Sequence, residues 1–375
     1  MSQLLRIPTH YYVYSDPPDK TGDETLHFVS GHRRVRLRGH SFREFVQRVA
    51  PLLDGSRTVE QLQNDVADIF APEDLHGCLD MLGSHGLLED AGLSPLPAEL
   101  GDFLRPQMNV FHDLSPEPEE LQERVLKSKV TIFGLGGVGA SCALGLAVSG
   151  VGSVNCVDAG QVSAADAYFS PVFDPGTAGT YRTEAVRRRI EQLSPHTKYR
   201  AHSQQFASDD EVRDIVEGSD FVINCLDEGE IALAYKVNRV CLALGVRFTT
   251  AQASGVEVVL GPTVDPHRTA CFLCYKMRSV ACSDNPEAEF AFQSFLDRRR
   301  QDDSARRANL TFGVNIAAQM AGLEALKAVA SLPASTARGR LYVLNLLDMT
   351  MQTHLVLRKP WCPACFSNWE ESTGS

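Results

Sequence analysis

A short apolar run ending in closely spaced glycines restricts this chain more than any other feature. It reads Val130-Thr131-Ile132-Phe133-Gly134-Leu135-Gly136-Gly137-Val138-Gly139, and Val154-Asn155-Cys156-Val157-Asp158 lies just beyond it. An apolar strand, a glycine turn, a small-residue helix and a second strand ending in an acid is the plan of a nucleotide-binding βαβ unit. Gly134 permits the tight turn and Gly136 lets backbone N–H groups approach a phosphate. Gly139, with Ala140, Ala143 and Gly145 after it, lets the helix lie close to the sheet. The helix start then offers unpaired N–H groups and the positive end of its dipole to an anion. Asp158, about 20 residues past the loop, is placed to reach a ribose hydroxyl.

The rest of the chain sets limits on what such a unit serves. With 375 residues there is room for two or three domains with cores of their own. A formal charge of −11 argues against a nucleic-acid partner, which needs a basic face. Clusters such as His32-Arg33-Arg34-Val35-Arg36-Leu37-Arg38 and Arg298-Arg299-Arg300 are local exceptions. No apolar run approaches the ~20 residues of a membrane span, and Met1-Ser2-Gln3-Leu4-Leu5-Arg6 lacks the apolar core of a signal peptide. The expected place is the cytoplasm, where thiols stay reduced and ten cysteines suggest metal or catalytic roles for some of them.

The first hundred residues differ in pattern from the remainder of the chain. Thr9–Tyr14, Leu26–Val29 and Arg34–Leu37 read as short strands. Ser41 is placed to cap an amphipathic stretch, Phe42 to Leu53, that Gly55 ends. Thr58-Val59-Glu60-Gln61 resembles a capping box and opens a second helix, and Pro72 begins a third through Leu75, Cys78, Leu79 and Leu82. Three strands with three short helices suggest a winged-helix-like module over residues 1–92. Residues 93–124 read as a proline-bearing linker and connecting helix, and 125–375 as the nucleotide domain.

Beyond Asp158 strands and helices alternate. Arg182–Leu193 and Ile231–Leu244 read as helices, and Phe221–Cys225 and Arg247–Ala251 as buried strands. That rhythm predicts an α/β fold, a Rossmann-like mainly parallel sheet with helices on both faces. Val256–Leu260, Leu341–Leu346 and His354–Leu357 read as later antiparallel strands, and Ala308–Ala330 as a long apolar helix.

Four cysteines form two C-x-x-C pairs, Cys271/Cys274 and Cys362/Cys365. Two residues between thiolates put both sulfurs on one tight turn, and two such turns complete a tetrahedral zinc site with no position left for water. The roughly ninety residues between the pairs exceed the spacing of a compact zinc ribbon. The metal would therefore tie the C-terminal segment to the middle of the domain. A redox C-x-x-C accounts for one pair and leaves the other unexplained. Cys282, in a polar loop, is a candidate nucleophile or a plain free thiol. Cys142, Cys156, Cys225 and Cys241 lie in apolar stretches and read as core.

The G-x-G-G-x-G loop, Asp158, Asp227 after a later buried strand and two C-x-x-C pairs, in this order, resemble the ubiquitin-activating-like (ThiF-type) adenylyltransferases. That superfamily includes the activating enzymes of molybdopterin and thiamine biosynthesis. The resemblance spans roughly residues 125–370, and it implies ATP and Mg²⁺ as cofactors, transfer of AMP to a carboxylate, a structural Zn²⁺ and a homodimer. Carried over by position, it puts Gly134, Gly136, Gly137 and Gly139 along the phosphates and Asp158 on the ribose. Asp227 would hold Mg²⁺ or position the reacting carboxylate. Arg182 stands where the family has a lysine, which exchanges a point charge for a planar fork. Phe169 stands where the family has a catalytic arginine, so cations for the α-phosphate would have to come from elsewhere, Arg105 or Arg187 being candidates.

The N-terminal module resembles the leader-recognition element of enzymes that modify ribosomally made peptides. Such elements take up an extended leader as an added strand. Here the edge would be Arg34, Val35, Arg36 and Leu37, with Arg33 and Arg38 placed to meet acidic residues. The combined layout is similar to the maturation enzymes of pantocin A and microcin C and to leader-binding partners of YcaO cyclodehydratases. The reading is an ATP-dependent enzyme that activates a carboxylate or amide of a peptide by adenylation or phosphorylation, with Asp227 and Arg182 as its catalytic residues. The alternatives are a non-catalytic leader-binding partner and an activator of sulfur carriers in cofactor biosynthesis.

Overall fold

The computed structural model describes residues 3–92, 96, 98–115, 117–206, 208–299, 308–332 and 338–366. The chain divides into two compact units, Met1–Glu123 and Arg124–Ser375.

The first unit contains two small sheets. One is antiparallel, with β2 (Tyr12–Ser15), β3 (Glu24–Val29) and β4 (Arg34–Gly39) side by side in that order. The other places β1 (Leu4–Arg6) between β5 (Asp54–Thr58) and β6 (Glu89–Asp90). This second sheet is not visible in the sequence, because strands of two and three residues are too short to show alternation. Helix α1 (Phe42–Glu44) runs on through a wider and then a tighter turn to Leu52, and α2 (Val59–Asp65) and α3 (Pro72–Ser84) come after it. Thr58 closes the expected capping box with Gln61. Ser41 does not cap: it sits in the left-handed region at φ 60° and its side chain makes no cap bond. Leu26, Phe28, Phe45, Val49, Leu62, Leu75 and Leu82 form the core beneath β2–β4. Helix α4 (Ala98–Leu114) is next, and α5 (Pro118–Lys127) leads into the second unit.

The second unit is built on an eight-stranded sheet. Its strands are β7 (Lys129–Phe133), β8 (Ser153–Val157), β9 (Lys198–His202), β10 (Phe221–Asn224), β11 (Phe248–Ser254), β12 (Glu257–Leu260), β13 (Arg340–Asn345) and β14 (Met351–Leu355). In space β9, β8, β7, β10 and β11 run parallel, and β12, β13 and β14 extend the sheet antiparallel from β11. The five parallel strands with their connecting helices make the Rossmann-like α/β architecture. The helices are α6 (Gly137–Val148), α7 (Ala164–Phe169), α8 (Arg182–Leu193), α9 (Asp209–Val216), α10 (Ile231–Leu244), α11 (Phe272–Ala281), α12 (Pro286–Arg299) and α13 (Thr311–Val329).

Val130, Ile132, Phe133, Val154, Cys156, Phe221, Val222 and Ile223 are buried, as expected of strands covered on both faces. Small residues let α6 and α13 pack closely: Ala140, Ala143, Ala317, Ala318 and Ala321 are fully buried, and a Cβ on Gly145 would stand 3.3 Å from Gln319 Oε1. No helix among the described residues is long and apolar enough to cross a membrane.

Candidate functional site

The chain leaves β7 for β8 and β9 on one side and returns to β10 and β11 on the other. At such a switch point two loops diverge and open a crevice at the carboxyl ends of the strands. The glycine loop occupies it. Gly134 has φ +83°, and a Cβ there would lie 2.6 Å from the Cys225 carbonyl oxygen at the end of β10. Gly136 is the residue before α6 and Gly137 the first in it. A Cβ on Gly137 would strike Val314 and Phe169, and one on Gly139 would lie 1.8 Å from the Gly134 oxygen. The glycines thus let the loop fold back against its own helix and against β10, and let Val314 and Phe169 close on the first residue of α6.

Asp158, just past β8, braces this loop. Its Oδ2 accepts from the Leu135 N–H at 2.6 Å and its Oδ1 from the Gly160 N–H at 2.6 Å. Arg182 lies behind it. The guanidinium is 3.7 Å from Asp158 Oδ1 and makes a bidentate contact with Asp166, at 3.1 Å from Nη2 and 3.2 Å from Nε to Oδ2. Asp166 is a residue the sequence reading passes over, although Ser163-x-x-Asp166 is a capping box that opens α7. Its carboxylate closes the cap and takes the Arg182 fork at once. Phe169 is buried, and its carbonyl accepts from Asn315 Nδ2 at 3.2 Å. Of the arginines considered as substitutes for the family cation, Arg187 lies on α8 paired with Glu184 at 2.7 Å, and Arg105 belongs to the first unit, 3.7 Å from Asp102.

Asp227 comes shortly after β10. Asn224 Oδ1 accepts from the Leu226 N–H, and Gln252 Nε2 donates to the Leu226 carbonyl, so the backbone before Asp227 is fixed from both sides. Asp227 is exposed and begins a short turn, Glu228–Glu230. Glu230, also unforeseen from the sequence, is an exposed residue whose carboxyl end is crowded by protein. Partial desolvation of that end, with repulsion from Asp227 and Asp158, pushes its pKa up to about 7. Acids therefore gather beside the glycine loop, where a hard cation held by carboxylate oxygens would relieve their repulsion.

The four cysteines converge. Sγ–Sγ distances are 3.8 Å for Cys271–Cys274, 3.7 Å for Cys271–Cys362 and 3.6 Å for Cys274–Cys365. Ligands about 2.3 Å from a tetrahedral zinc ion stand about 3.8 Å apart, so the set fits that ion closely. All four are buried. Hydrogen bonds from Cys271 and Cys365 hold the Cys274 thiol well below its usual range, and the Lys359 N–H adds to this at 3.3 Å. Cys282 ends α11 as an exposed free thiol, whereas Cys142, Cys156, Cys225 and Cys241 are buried.

A glycine loop at a switch point, acids just past β8 and β10 and a closed tetrathiolate cluster define a nucleotide-binding α/β protein with a cysteine cluster fit for a structural metal. The ThiF family model matches residues 106–364, and the chain belongs to that family. The ThiS sulfur-carrier adenylyltransferase of Escherichia coli K12 is 26% identical over 245 residues, 65% of this chain and 88% of that protein. UBA4 of Debaryomyces hansenii, an adenylyltransferase and sulfurtransferase, is 30% identical over 136 residues, and the match spans only 29% of its length. Among solved structures, E. coli MccB with ATP has a TM-score of 0.68 at 15% identity, covering 96% of this chain and 99% of its own. The microcin C7 biosynthetic enzyme MccB in complex with N-formylated MccA gives 0.68 at 16% identity with the same coverage.

Proposed function

We propose that the second unit binds ATP with Mg²⁺ in the crevice and uses it to activate a carboxylate or amide of a ribosomally made peptide, whose leader the first unit holds. The observation that carries this reading is the extent of the structural likeness. The family model begins at residue 106, whereas the fold shared with MccB takes in 96% of the chain, most of the first unit included. MccB is known both with ATP and in complex with N-formylated MccA.

In this reading backbone N–H groups around Gly134, Gly136, Gly137 and Gly139 line the phosphates. A carboxylate has about four lone-pair sites, so Asp158 can keep its bonds to Leu135 and Gly160 and still accept from a ribose hydroxyl. Asp227, with Glu230 beside it, would hold Mg²⁺, which when bound would supply positive charge to the phosphate oxygens. An oxygen of the peptide attacks the α-phosphorus, pyrophosphate leaves, and the acyl group gains a leaving group that a nucleophile can displace. Arg182 acts from behind Asp158, as a fixed positive charge near the phosphates.

The winged-helix-like first unit takes the leader as a strand beside β4, a free edge of its three-stranded sheet, at Arg34, Val35, Arg36 and Leu37. Arg34, Arg36 and Arg38 are exposed and suit an acidic leader. The exposed apolar side chains Phe312, Leu323, Leu347 and Met351 suit a homodimer, and cysteines kept as thiols suit the cytoplasm.

The test is incubation of the zinc-loaded protein with its cognate precursor, ATP and Mg²⁺. Pyrophosphate or phosphate release that requires the peptide, together with a mass change in the peptide, is the expected result. Leader binding with neither marks the second reading, a non-catalytic leader-binding partner, which buried Phe169 and the locked Arg182 favour.

A further inference from the structure

Among the described residues, two clusters combine ligand types that suit a transition metal: the four cysteines, and a group in the first unit made of His10, His112 and Asp113. The second has no role in the proposed reaction. His10 lies in the turn before β2, and His112 and Asp113 near the end of α4, yet one ligand atom of each stands within 4.8 Å of the others. The side chain of Asp113 is 5% exposed and that of His10 13%.

The carboxylate is held in place from several sides. The Tyr11 hydroxyl donates to Oδ1 at 2.9 Å, the Ser30 hydroxyl donates to Oδ2 at 2.6 Å, and His10 Nε2 lies 3.1 Å from Oδ1. Two imidazole nitrogens are left over. Nδ1 of His10 and Nδ1 of His112 are both buried without a hydrogen-bond partner, on rings whose centroids are 5.5 Å apart. Buried polar atoms are nearly always paired, so two orphans on neighbouring rings call for an explanation. A hydrogen bond between His10 and Asp113 explains neither. The nearby Arg33 is engaged by the His85 carbonyl at 2.6 Å and offers the imidazoles no acceptor.

We propose that His10, His112 and Asp113 bind a divalent transition metal, zinc above all, which clasps the start of β2 to the end of α4. Imidazole and carboxylate are ordinary zinc donors, and tetrahedral ligands at roughly 2.0–2.2 Å from the ion stand about 3.4 Å apart, inside the 4.8 Å within which these ligand atoms already lie. Tyr11 and Ser30 then act as the outer partners that orient a metal-binding carboxylate. Three protein ligands leave one position for water. The clasp is independent of ATP and peptide.

Zinc content of the full-length protein tests this, because a thiol-blocking mercurial releases zinc from cysteine ligands and not from histidine and carboxylate. After incubation with excess Zn²⁺ and desalting, the expected result is an equivalent of zinc that survives the mercurial and is lost in both H10Q and H112Q. Both variants should keep the mercurial-sensitive equivalent and the far-ultraviolet circular dichroism of the wild type, which shows that they are folded. Absence of mercurial-resistant zinc in the wild type, or its persistence in folded H10Q and H112Q, overturns the proposal.

Discussion

Arg182 and Asp166 form a buried ion pair, with side chains 5% and 0% exposed and Nη2 3.1 Å from Oδ2. A guanidinium in that position is held by the architecture of the crevice, with Asp158 and Asp166 around it. Removing one partner of a buried pair leaves the other charge stranded, at a cost of about 3–5 kcal/mol. Asp158, 3.7 Å from the same guanidinium, offsets part of that. D166A is therefore expected to lose about 3 kcal/mol of unfolding free energy, read from the urea midpoint. A midpoint equal to that of wild type would show that the pair is dispensable.

Asp227 is exposed at the mouth of the crevice and is the residue assigned to the cation. D227A is expected to lower peptide-dependent pyrophosphate release by about a hundredfold or more, the scale for losing one preorganised electrostatic group. Its urea midpoint should stay close to wild type, since surface substitutions shift stability by about 0.5 kcal/mol or less. Steady-state kinetics on a folded variant check both halves.

Glu230 gives the site a pH signature. Its folded-state pKa of about 7 exceeds the ordinary carboxylate value, so the native state binds more protons than the unfolded chain across the interval between them. Stability from this group is full at acid pH and is lost as pH rises through about 7. E230Q should therefore raise the melting temperature at pH 8 and change it little at pH 5. Equal shifts at both values would sink the assignment.

Cys362 and Cys365 tie residues near the C-terminus to Cys271 and Cys274 at the start of α11. C362S is expected to lower bound zinc by one equivalent and to open the segment after β14 to proteolysis. Removing zinc from the wild type with a strong chelator should do the same, since metal binding at a closed site contributes directly to folding. Metal analysis and limited proteolysis are the measurements.

Two glycines should respond in opposite directions. A Cβ at Gly139 lands 1.8 Å from a backbone oxygen that cannot move without the loop, so G139A should destabilise by about 3 kcal/mol and abolish nucleotide binding. Gly77, inside α3, has nothing within 4 Å of its missing Cβ. G77A should stabilise by about 0.5–1 kcal/mol, from a less flexible unfolded chain and better helix propensity. Denaturant titration of both variants decides.

Much of this was legible in the linear sequence, because the signals are local. Backbone freedom at Gly134, the apolar run of β7, the Thr58–Gln61 box and the spacing within each C-x-x-C pair depend only on near neighbours. The chain by itself thus determined the βαβ plan, the alternation that makes a parallel sheet and the two C-x-x-C pairs. What needed the tertiary structure was whatever joins distant residues through space. Strands as short as Leu4–Arg6 and Glu89–Asp90 exist only because they pair with each other. The clamp of Arg182 between Asp158 and Asp166, the crowding that raises Glu230 and the meeting of His10 with His112 and Asp113 are likewise set by packing. Charges and donors act over a few ångströms of space, and the order of residues along a chain does not record that distance.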